Sequence, residues 1–441
     1  MTTEYTTHVV RADRSSDPGG TWDLAPLDLA CMPLVLRGTW VFDTKLDTEV
    51  LRHGLSQLLC HYPHLGGRIA ERVVLRLVNE GVPFSVEARP ELRRDSFRAD
   101  GTLAASLAAP YSLHGVRRGR SAPLSVKLTE LCDGSVLSVS CTHGCLDGHS
   151  FYAMVRDWAL LCRGWPIDEP VANQLVLPSP DSRTRSEVRE DAIRLGWSSI
   201  SPWSLVRLAF FTLSNQHILR TRPAYFCSTA LADLKHQLVS GDMGTLTTHT
   251  ALSAALAKIC STLLDHAADT PCSMVSVVDL RERVACLPAR FVGNGSGSVL
   301  FPIGASGASA QEIASAVTAG LASARQRPSS ALTKAFGLAL EIAYHRLRYA
   351  NFNFADLYKR KPTLYYVNSF ARFPVYDADF GSGRPCLVVP HNIGDPVFIW
   401  PAPPDKGGLE VYFSGALARD FAERGSERVN SVLSEWGAVT I

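Results

Sequence analysis

Long hydrophobic runs, a dominant charge sign and paired cysteine motifs are all missing from this 441-residue chain. No stretch approaches the ~18 apolar residues that a membrane-spanning helix requires. The nearest one, from 203 to 213, is interrupted by Arg207, so we expect a core or surface-docked helix there. The formal net charge is only +2 and the basic residues are scattered, which gives no reason to expect a nucleic-acid partner.

The cysteines are sparse and show no pattern of pairing. There are eleven of them, an odd number, and none forms a CxxC pair. Several lie in apolar surroundings, and the first eight residues lack the apolar stretch of a secretory signal. These observations predict a cytoplasmic protein with reduced, buried thiols.

What the chain does contain is enough apolar material for a large core, since 46% of its residues are hydrophobic. At ~100–200 residues per domain, its length predicts two domains. We expect an N-terminal domain over 1–177, a proline-rich and charged linker over 178–222, and a C-terminal domain over 223–441. Strand and helix patterns mix in both halves without strict alternation. This predicts an α/β protein with a mixed sheet flanked by helices in each half.

One short segment has the residue types of a catalytic turn: His143-Gly-Cys-Leu-Asp147-Gly148. It follows a predicted strand over 134–141 and precedes an apolar helix face over 150–162. A neutral imidazole accepts a proton near neutral pH, which is what the activation of an alcohol or amine requires. Asp147 would hold the histidine tautomer or fix the turn, and Gly148 gives the backbone freedom.

Spacing alone leaves other interpretations of this segment open. The simplest is a polar turn with an Asp-Gly end, because one histidine with one aspartate is a weak signal. A second is a zinc site, since five potential ligands alternate along the segment: Cys141, His143, Cys145, Asp147 and His149. The two glycines argue against the straight strand that such a site would need, and no second ligand pair with zinc spacing occurs elsewhere. We therefore predict no metal.

Several segments taken together resemble the BAHD family of plant and fungal coenzyme A-dependent acyltransferases. They occur in the family's order over nearly the whole chain: Leu24 to Asp28, Leu58 to Arg68 (LLCHYPHLGGR), His143 to Gly148, Trp158-Ala159, Thr247 to Ala254, Val278 to Arg283, Phe291 to Asn294 (FVGN), and Asn368 to Gly383 (NSF…PVY..DFGSG).

The resemblance implies two similar chloramphenicol-acetyltransferase-like domains with a channel between them. His143 would be the general base in that channel, and an acyl-CoA thioester would be a co-substrate, with no permanently bound cofactor. The acceptor would be the hydroxyl or amine of a small molecule, and a monomer is expected. Asp147, with Gly148 beside it, would be structural and paired with an arginine. Asp379, with Gly381 beside it, would be structural too and would bridge to Arg281.

The chain also departs from the family's pattern in two places. Phe370 and Ser382 stand where the family has tryptophan, and Phe370 has no N–H to stabilise an oxyanion. Asn368, in place of the family's threonine, can still donate through its amide. By position, Ser253, Gly293 and Asn294 are candidates for coenzyme A binding, although a helix-interior serine and a flexible Gly-rich connection are the plain alternatives.

Two other functions remain open at this point. A carrier-protein condensation enzyme uses a similar histidine motif but often has a second histidine where this chain has Thr142. A non-catalytic binding scaffold is the alternative from a different class, and the altered Asn368-Ser-Phe segment leaves it possible. The identities of the acyl donor and the acceptor cannot be read from the sequence, because fold does not determine substrate.

Overall fold

A computed structural model describes most of the chain. The described residues are 5–14, 19–70, 74–99, 101–171, 183–195, 197–203, 206, 223–239, 245–283, 287–326, 338–339, 341–342, 345–350, 361–391 and 397–440. No helix within these ranges combines the length and the apolar character that crossing a bilayer would require.

Strands occur in both halves of the chain. In order, they are β1 (Tyr5–Val10), β2 (Thr21–Asp23), β3 (Val35–Phe42), β4 (Arg68–Ala70), β5 (Val74–Arg76), β6 (Val82–Arg89), β7 (Leu124–Leu131), β8 (Ser135–Thr142), β9 (Ser198–Ser199), β10 (Ala224–Phe226), β11 (Pro271–Asp279), β12 (Ser296–Ala305), β13 (Tyr349–Ala350), β14 (Leu364–Ser369), β15 (Leu387–Pro390), β16 (Val397–Pro401), β17 (Leu409–Phe413) and β18 (Ala438–Thr440).

Helices alternate irregularly with these strands. They are α1 (Pro26–Cys31), α2 (Thr48–His61), α3 (Ser96–Ala99), α4 (Gly101–Ser106), α5 (Leu113–Arg117), α6 (Gly148–Cys162), α7 (Arg185–Arg194), α8 (Ser228–Leu238), α9 (Thr248–Leu263), α10 (Ala310–Gln326), α11 (Gly415–Arg424) and α12 (Ser426–Glu435), with a 3-10 turn over Pro63–Gly66.

The first sheet has the strand order β1-β6-β7-β8-β3-β15. Only the pair β6 and β7 is parallel, so the sheet is mixed as predicted. One face of the sheet packs on α2 and α6 because Trp40 and Phe42 of β3 alternate with residues that face the other way. The indole N–H of the buried Trp158 donates to the Leu51 carbonyl at 3.0 Å, which ties α6 to α2.

The second sheet has the order β12-β11-β14-β16-β17-β10-β18 and is also mixed. The pairs β11 with β14 and β14 with β16 are parallel, and the others are antiparallel. Helices α8 to α12 pack against this sheet around a second apolar core. The prediction of two α/β halves, each with a mixed sheet and helices, is therefore confirmed.

The structure corrects two predicted elements of the second half. The sequence from 418 to 436 is typical of a single closing helix, but Gly425 adopts a φ of +82° and divides it into α11 and α12. The Gly-rich run at 291–297 was expected to be a flexible connection. Its end instead enters β12, where Ser296 pairs with Asp279.

The two halves are also less separate than the predicted boundaries suggest. β15 belongs to the range assigned to the C-terminal domain, yet it pairs antiparallel with β3 at the edge of the first sheet. In the predicted linker, α7 buries Val188 and Ala192 against Leu338 and Ile342 of the second half. The core or surface-docked helix expected from 203 to 213 lies mostly outside the described residues.

Candidate active site

The backbone of His143 is fixed where β8 ends and the chain turns into α6. Its N–H donates to the Leu34 carbonyl at 2.9 Å. Helix α6 begins at Gly148, five residues after His143. Asp147 caps its N-terminus, since its carboxylate accepts the N–H of Ser150 at 2.9 Å. The predicted strand, turn and helix are therefore all present. The segment is not a straight strand on which five metal ligands would share a face.

Arg281 reaches this turn from the second half of the chain. Its guanidinium forms two parallel hydrogen bonds to the Asp147 carboxylate, both 2.9 Å long. The same guanidinium donates to Ser150 Oγ at 2.8 Å and to the Gly293 carbonyl at 3.2 Å. Arg281 is 5% exposed and Asp147 is 2% exposed, so water does not screen the pair. Paired planar groups of this kind fix orientation as well as charge.

The arginine that pairs with Asp147 is therefore Arg281. The predicted bridge from Asp379 to Arg281 is wrong. Asp379 instead lies 3.4 Å from Arg163 at the end of α6. Its carboxylate also accepts the backbone N–H groups of Gly381 and Gly383, at 2.9 and 3.0 Å. Both glycines have positive φ, so Asp379 organises its own tight turn.

The charges around the turn are set by these contacts. Burial alone would raise the pKa of Asp147, but the Arg281 charge and the hydrogen bonds from Arg281, Ser150 and Gly295 outweigh it and hold the pKa below 3.8. Burial lowers the pKa of His143 below 6.5, and this outweighs the opposing effects of its hydrogen bonds and of Asp147. His143 is therefore neutral at pH 7, and Asp147 is a carboxylate committed to Arg281.

The imidazole itself has no carboxylate partner. Nδ1 of His143 is buried, and among the described residues no group meets it in full hydrogen-bond geometry, whereas the backbone of His143 and the Asn294 side chain oppose the lowering of the imidazole pKa by burial. Asp147, which the sequence offered as a possible tautomer-setting group, makes its contacts with Arg281, Ser150 and Gly295. The arrangement therefore differs from a triad, in which a carboxylate orients the base directly.

Asn294 and Asp28 complete the turn, and sequence reasoning did not assign them this position. The Asn294 side-chain amide donates to the His143 carbonyl at 2.8 Å and to Asp28 Oδ1 at 2.8 Å. Asp28 also accepts the N–H groups of Ala25 and Asn294, at 2.9 and 3.1 Å. The sequence feature that could have identified Asp28 is its place in the segment from Leu24 to Asp28, which resembles the family's opening motif. No local pattern links Asp28 to position 294.

An aromatic group closes one side of the turn. A side-chain carbon added to Gly148 would lie 3.1 Å from the rings of both Phe370 and Phe373, so a larger residue would fit only if these rings shifted by a few tenths of an ångström. Phe370 also packs on Phe398 and Trp400, with ring centroids 4.5 and 5.5 Å away. Asn368, the predicted oxyanion donor, is half-buried on β14 opposite Phe398. Phe370 therefore lies beside the turn that runs from His143 to Gly148, and Asn368 lies two residues before it on β14.

A cavity of about 440 Å³ is lined in part by Phe373. Its walls come from both halves of the chain and are formed by His149, Ala153, Arg156, Asp168, Ala289, Arg290, Ala371, Arg372, Phe373, Pro374 and Asp377. The volume falls in the ~300–1,000 Å³ range of small-molecule sites. His149, two residues after Asp147, thus faces a cavity at the junction of the two halves, and its Nδ1 has no partner among the described residues.

The residues predicted to bind coenzyme A occupy different surroundings. Ser253 is fully buried in α9, so a ligand contact would need the packing around it to shift. The Gly293 carbonyl accepts hydrogen bonds from Asp147 N–H and from Arg281. Both amide hydrogens of Asn294 are used within the protein, which leaves its side chain no free donor for a phosphate. Gly293 and Asn294 therefore hold the His143 turn.

No group of three or more potential metal ligands occurs in the part of the chain that the structure describes. Cys141 and Cys145 are buried, and burial raises the pKa of both thiols.

One family model matches almost the whole chain. The model of the family described as "Transferase family" matches residues 1–417. The chain is 27% identical over 399 residues to hydroxycinnamoyl-CoA:5-hydroxyanthranilate N-hydroxycinnamoyltransferase HHT4 of Avena sativa, covering 83% of each chain. It is 25% identical over 370 residues to akuammiline synthase 1 of Alstonia scholaris, covering 81% of this chain and 79% of the relative.

Solved structures show the same fold at low sequence identity. Vinorine synthase superimposes with a TM-score of 0.67 at 16% identity, covering 98% of both chains. TRI101 of F. graminearum, complexed with coenzyme A and T-2 mycotoxin, superimposes with a TM-score of 0.70 at 15% identity, covering 95% of this chain and 99% of TRI101.

Proposed function

Because the chain belongs to the BAHD acyltransferase family, we propose that His143 is the general base of an acyl transfer from an acyl-coenzyme A thioester to the hydroxyl or amine of a small molecule. The observation that carries the proposal is the state of His143. It is a neutral imidazole at the junction of the two halves, on a turn clamped by Arg281. A neutral imidazole is the protonation state that a general base needs.

The proposed reaction runs through one tetrahedral intermediate. Since Nδ1 of His143 is buried, Nε2 takes the proton of the acceptor while the acceptor oxygen or nitrogen attacks the thioester carbonyl carbon. The Asn368 amide donates to the developing oxyanion, a contact typically worth ~2.7–4 kcal/mol of barrier. The carbon–sulfur bond then breaks, and the proton held by His143 passes to the coenzyme A thiolate.

The donor and the acceptor belong to broad classes. The oat relative is named for hydroxycinnamoyl-CoA and an amine acceptor, and TRI101 was solved with coenzyme A and T-2 mycotoxin. We extend to this chain an acyl-CoA co-substrate, a small-molecule alcohol or amine acceptor, and no permanently bound cofactor. A monomeric, cytoplasmic enzyme is part of the same proposal.

The test is thiol release from a panel of acyl-coenzyme A donors with pooled alcohols and amines. The panel includes acetyl and hydroxycinnamoyl thioesters, and the comparison variant is His143→Ala. We expect release that depends on both donor and acceptor and is lost in the variant. No release with any donor, together with no binding of coenzyme A by calorimetry, would contradict the proposal and favour a binding scaffold.

The pH dependence of kcat/KM offers a further prediction. Protonated His143 cannot accept a proton, so activity falls below its pKa, which burial holds under 6.5. We expect a plateau at neutral pH and an acid limb whose midpoint lies below 6.5, measured over pH 5 to 9 with enzyme shown to stay folded. An acid limb centred at pH 7 or above would show that a different group is titrating.

A further inference from the structure

The backbone of His143 is held at both of its polar groups by parts of the chain that are distant in sequence. Its N–H donates to the Leu34 carbonyl at 2.9 Å, just before β3. Its carbonyl accepts the Asn294 amide at 2.8 Å, from the loop that precedes β12. With both groups bonded, the residue cannot rotate freely about the peptide units on either side, and the direction of its Cα–Cβ bond is set.

Asn294 is in turn fixed by a buried carboxylate. Asp28 Oδ1 accepts both the backbone N–H and the side-chain amide of Asn294, at 3.1 and 2.8 Å. The other oxygen, Oδ2, accepts the Ala25 N–H at 2.9 Å, which anchors the carboxylate to the start of α1. Asp28 and Asn294 are each 2% exposed, so water does not compete for these bonds. Hydrogen bonds to a charged acceptor are stronger than those between neutral groups.

The side chain of His143 has no carboxylate partner, because the nearby Asp147 is bonded to Arg281. The hydrogen-bonding groups that act on the imidazole are the backbone of His143 itself and the Asn294 side chain. A base must lie within about 2.6–3.2 Å of the proton that it accepts. Here the orientation of the imidazole therefore depends on its backbone, and the backbone depends on Asn294.

We propose that Asp28 and Asn294 are positioning residues that aim the His143 imidazole through its backbone carbonyl, in place of the carboxylate partner that other catalytic histidines use. The proposal rests on His143 being the base. Neither residue touches the substrate in this arrangement. Their effect falls on the rate of the chemical step and leaves substrate affinity nearly unchanged.

The first variant is Asn294→Ala, assayed by thiol release at saturating donor and acceptor. We expect kcat to fall by about 10–100-fold, because small misplacements of a reacting group are costly. KM for both substrates should stay within about twofold, since the lost hydrogen bond acts on the chemical step and not on substrate binding. A merely structural role would lower the folded fraction and leave kcat per folded molecule unchanged.

Asn79→Ala is the matched control for loss of an asparagine. Asn79 also bridges two segments, by accepting the Ala12 N–H at 2.9 Å and donating to the Ala12 carbonyl at 3.1 Å. Its loss should lower the melting temperature without changing kcat per folded molecule. If Asn294→Ala behaves in the same way as Asn79→Ala, the positioning role is overturned.

The double variant Asp28→Asn with Asn294→Asp separates the hydrogen bond of Asn294 to Asp28 from its hydrogen bond to the His143 carbonyl. It replaces the Asn294→Ala experiment if the alanine variant does not fold. It restores a hydrogen bond between positions 28 and 294, but a carboxylate at 294 cannot donate to the His143 carbonyl. We expect a folded protein whose kcat stays low, and recovery of kcat would overturn the proposal. Turnover by His143→Ala would instead overturn the function of His143 itself, which keeps the two failures distinct.

Discussion

Replacing His143 with alanine is expected to lower kcat by about 10²–10⁴-fold, the usual contribution of a positioned general base. The expectation follows from the neutral imidazole at the end of β8 and from the commitment of Asp147 to Arg281, which leaves the carboxylate unable to substitute as a base. The fold should be retained, because among the described residues the buried Nδ1 contributes no hydrogen bond to it. Steady-state thiol release measures kcat, and circular dichroism shows whether the fold is retained.

His149→Ala is the informative companion to that variant. His149 is the second histidine of the turn, and it faces the cavity and the Phe373 ring at 5.8 Å. If His143 is the base, removal of His149 should change KM more than kcat and cost less than about tenfold in kcat. A larger loss of kcat in His149→Ala than in His143→Ala would assign the proton transfer to His149. His61→Ala is the control for the loss of a histidine, because His61 lies at the surface beside Glu169 and has no role in the proposed reaction.

Replacing Arg281 with alanine is expected to lower the free energy of unfolding by about 3–5 kcal/mol. The substitution leaves the Asp147 carboxylate buried without its charge partner, and it also removes donors from Ser150 Oγ and the Gly293 carbonyl. Denaturant unfolding at pH 7 measures the loss. Arg281→Lys should recover only part of it, since an ammonium cannot reproduce the two parallel hydrogen bonds.

Arg163→Ala provides the contrast, because Arg163 pairs with the other motif aspartate, Asp379. That pair is 3.4 Å long, and the two side chains are 29% and 25% exposed. Loss of a pair with this much exposure should cost no more than ~1 kcal/mol. Equal destabilisation by Arg281→Ala and Arg163→Ala would contradict the assignment of the buried clamp to Asp147.

The pH dependence of the Arg281 effect has a definite sign. In the native protein the pKa of Asp147 is lowered, so the stability that the pair contributes is present above pH 3.8 and is lost as pH falls through the lowered pKa. In Arg281→Ala, burial without a partner raises the pKa of that carboxyl, which then protonates at milder pH. The difference in stability between the two proteins should therefore narrow as pH is lowered from 7 towards 5.

Local pattern was sufficient to predict the elements that carry His143. The alternating apolar residues of β8 and the apolar face of α6 depend on neighbours in sequence, and both elements were found within two residues of where they were predicted. β12 was missed because its first residues are glycine and serine, and pairing with β11 overrides that weak propensity.

Partnerships between distant residues could not be predicted in this way. Asp147 and Asp379 were both expected to pair with an arginine because of their positions in the family's motifs. The residues around each aspartate in the sequence did not indicate which of the two pairs with Arg281. The bond from Asp28 to Asn294 joins the first helix to the second half of the chain. Such contacts depend on how the two sheets pack, and a single sequence carries no signal for that packing.

β15 has a consequence for how this protein is made. Leu387 pairs with Val41, so the first sheet receives its last strand from the far end of the chain. A ribosome-bound first half cannot complete that sheet until Pro390 has been synthesised, and the outer edge of β3 stays open in the meantime. Open strand edges invite pairing with other chains, and contacts this distant in sequence form slowly. Synthesis of the complete chain is therefore a period of aggregation risk, and the first half expressed by itself is expected to be insoluble.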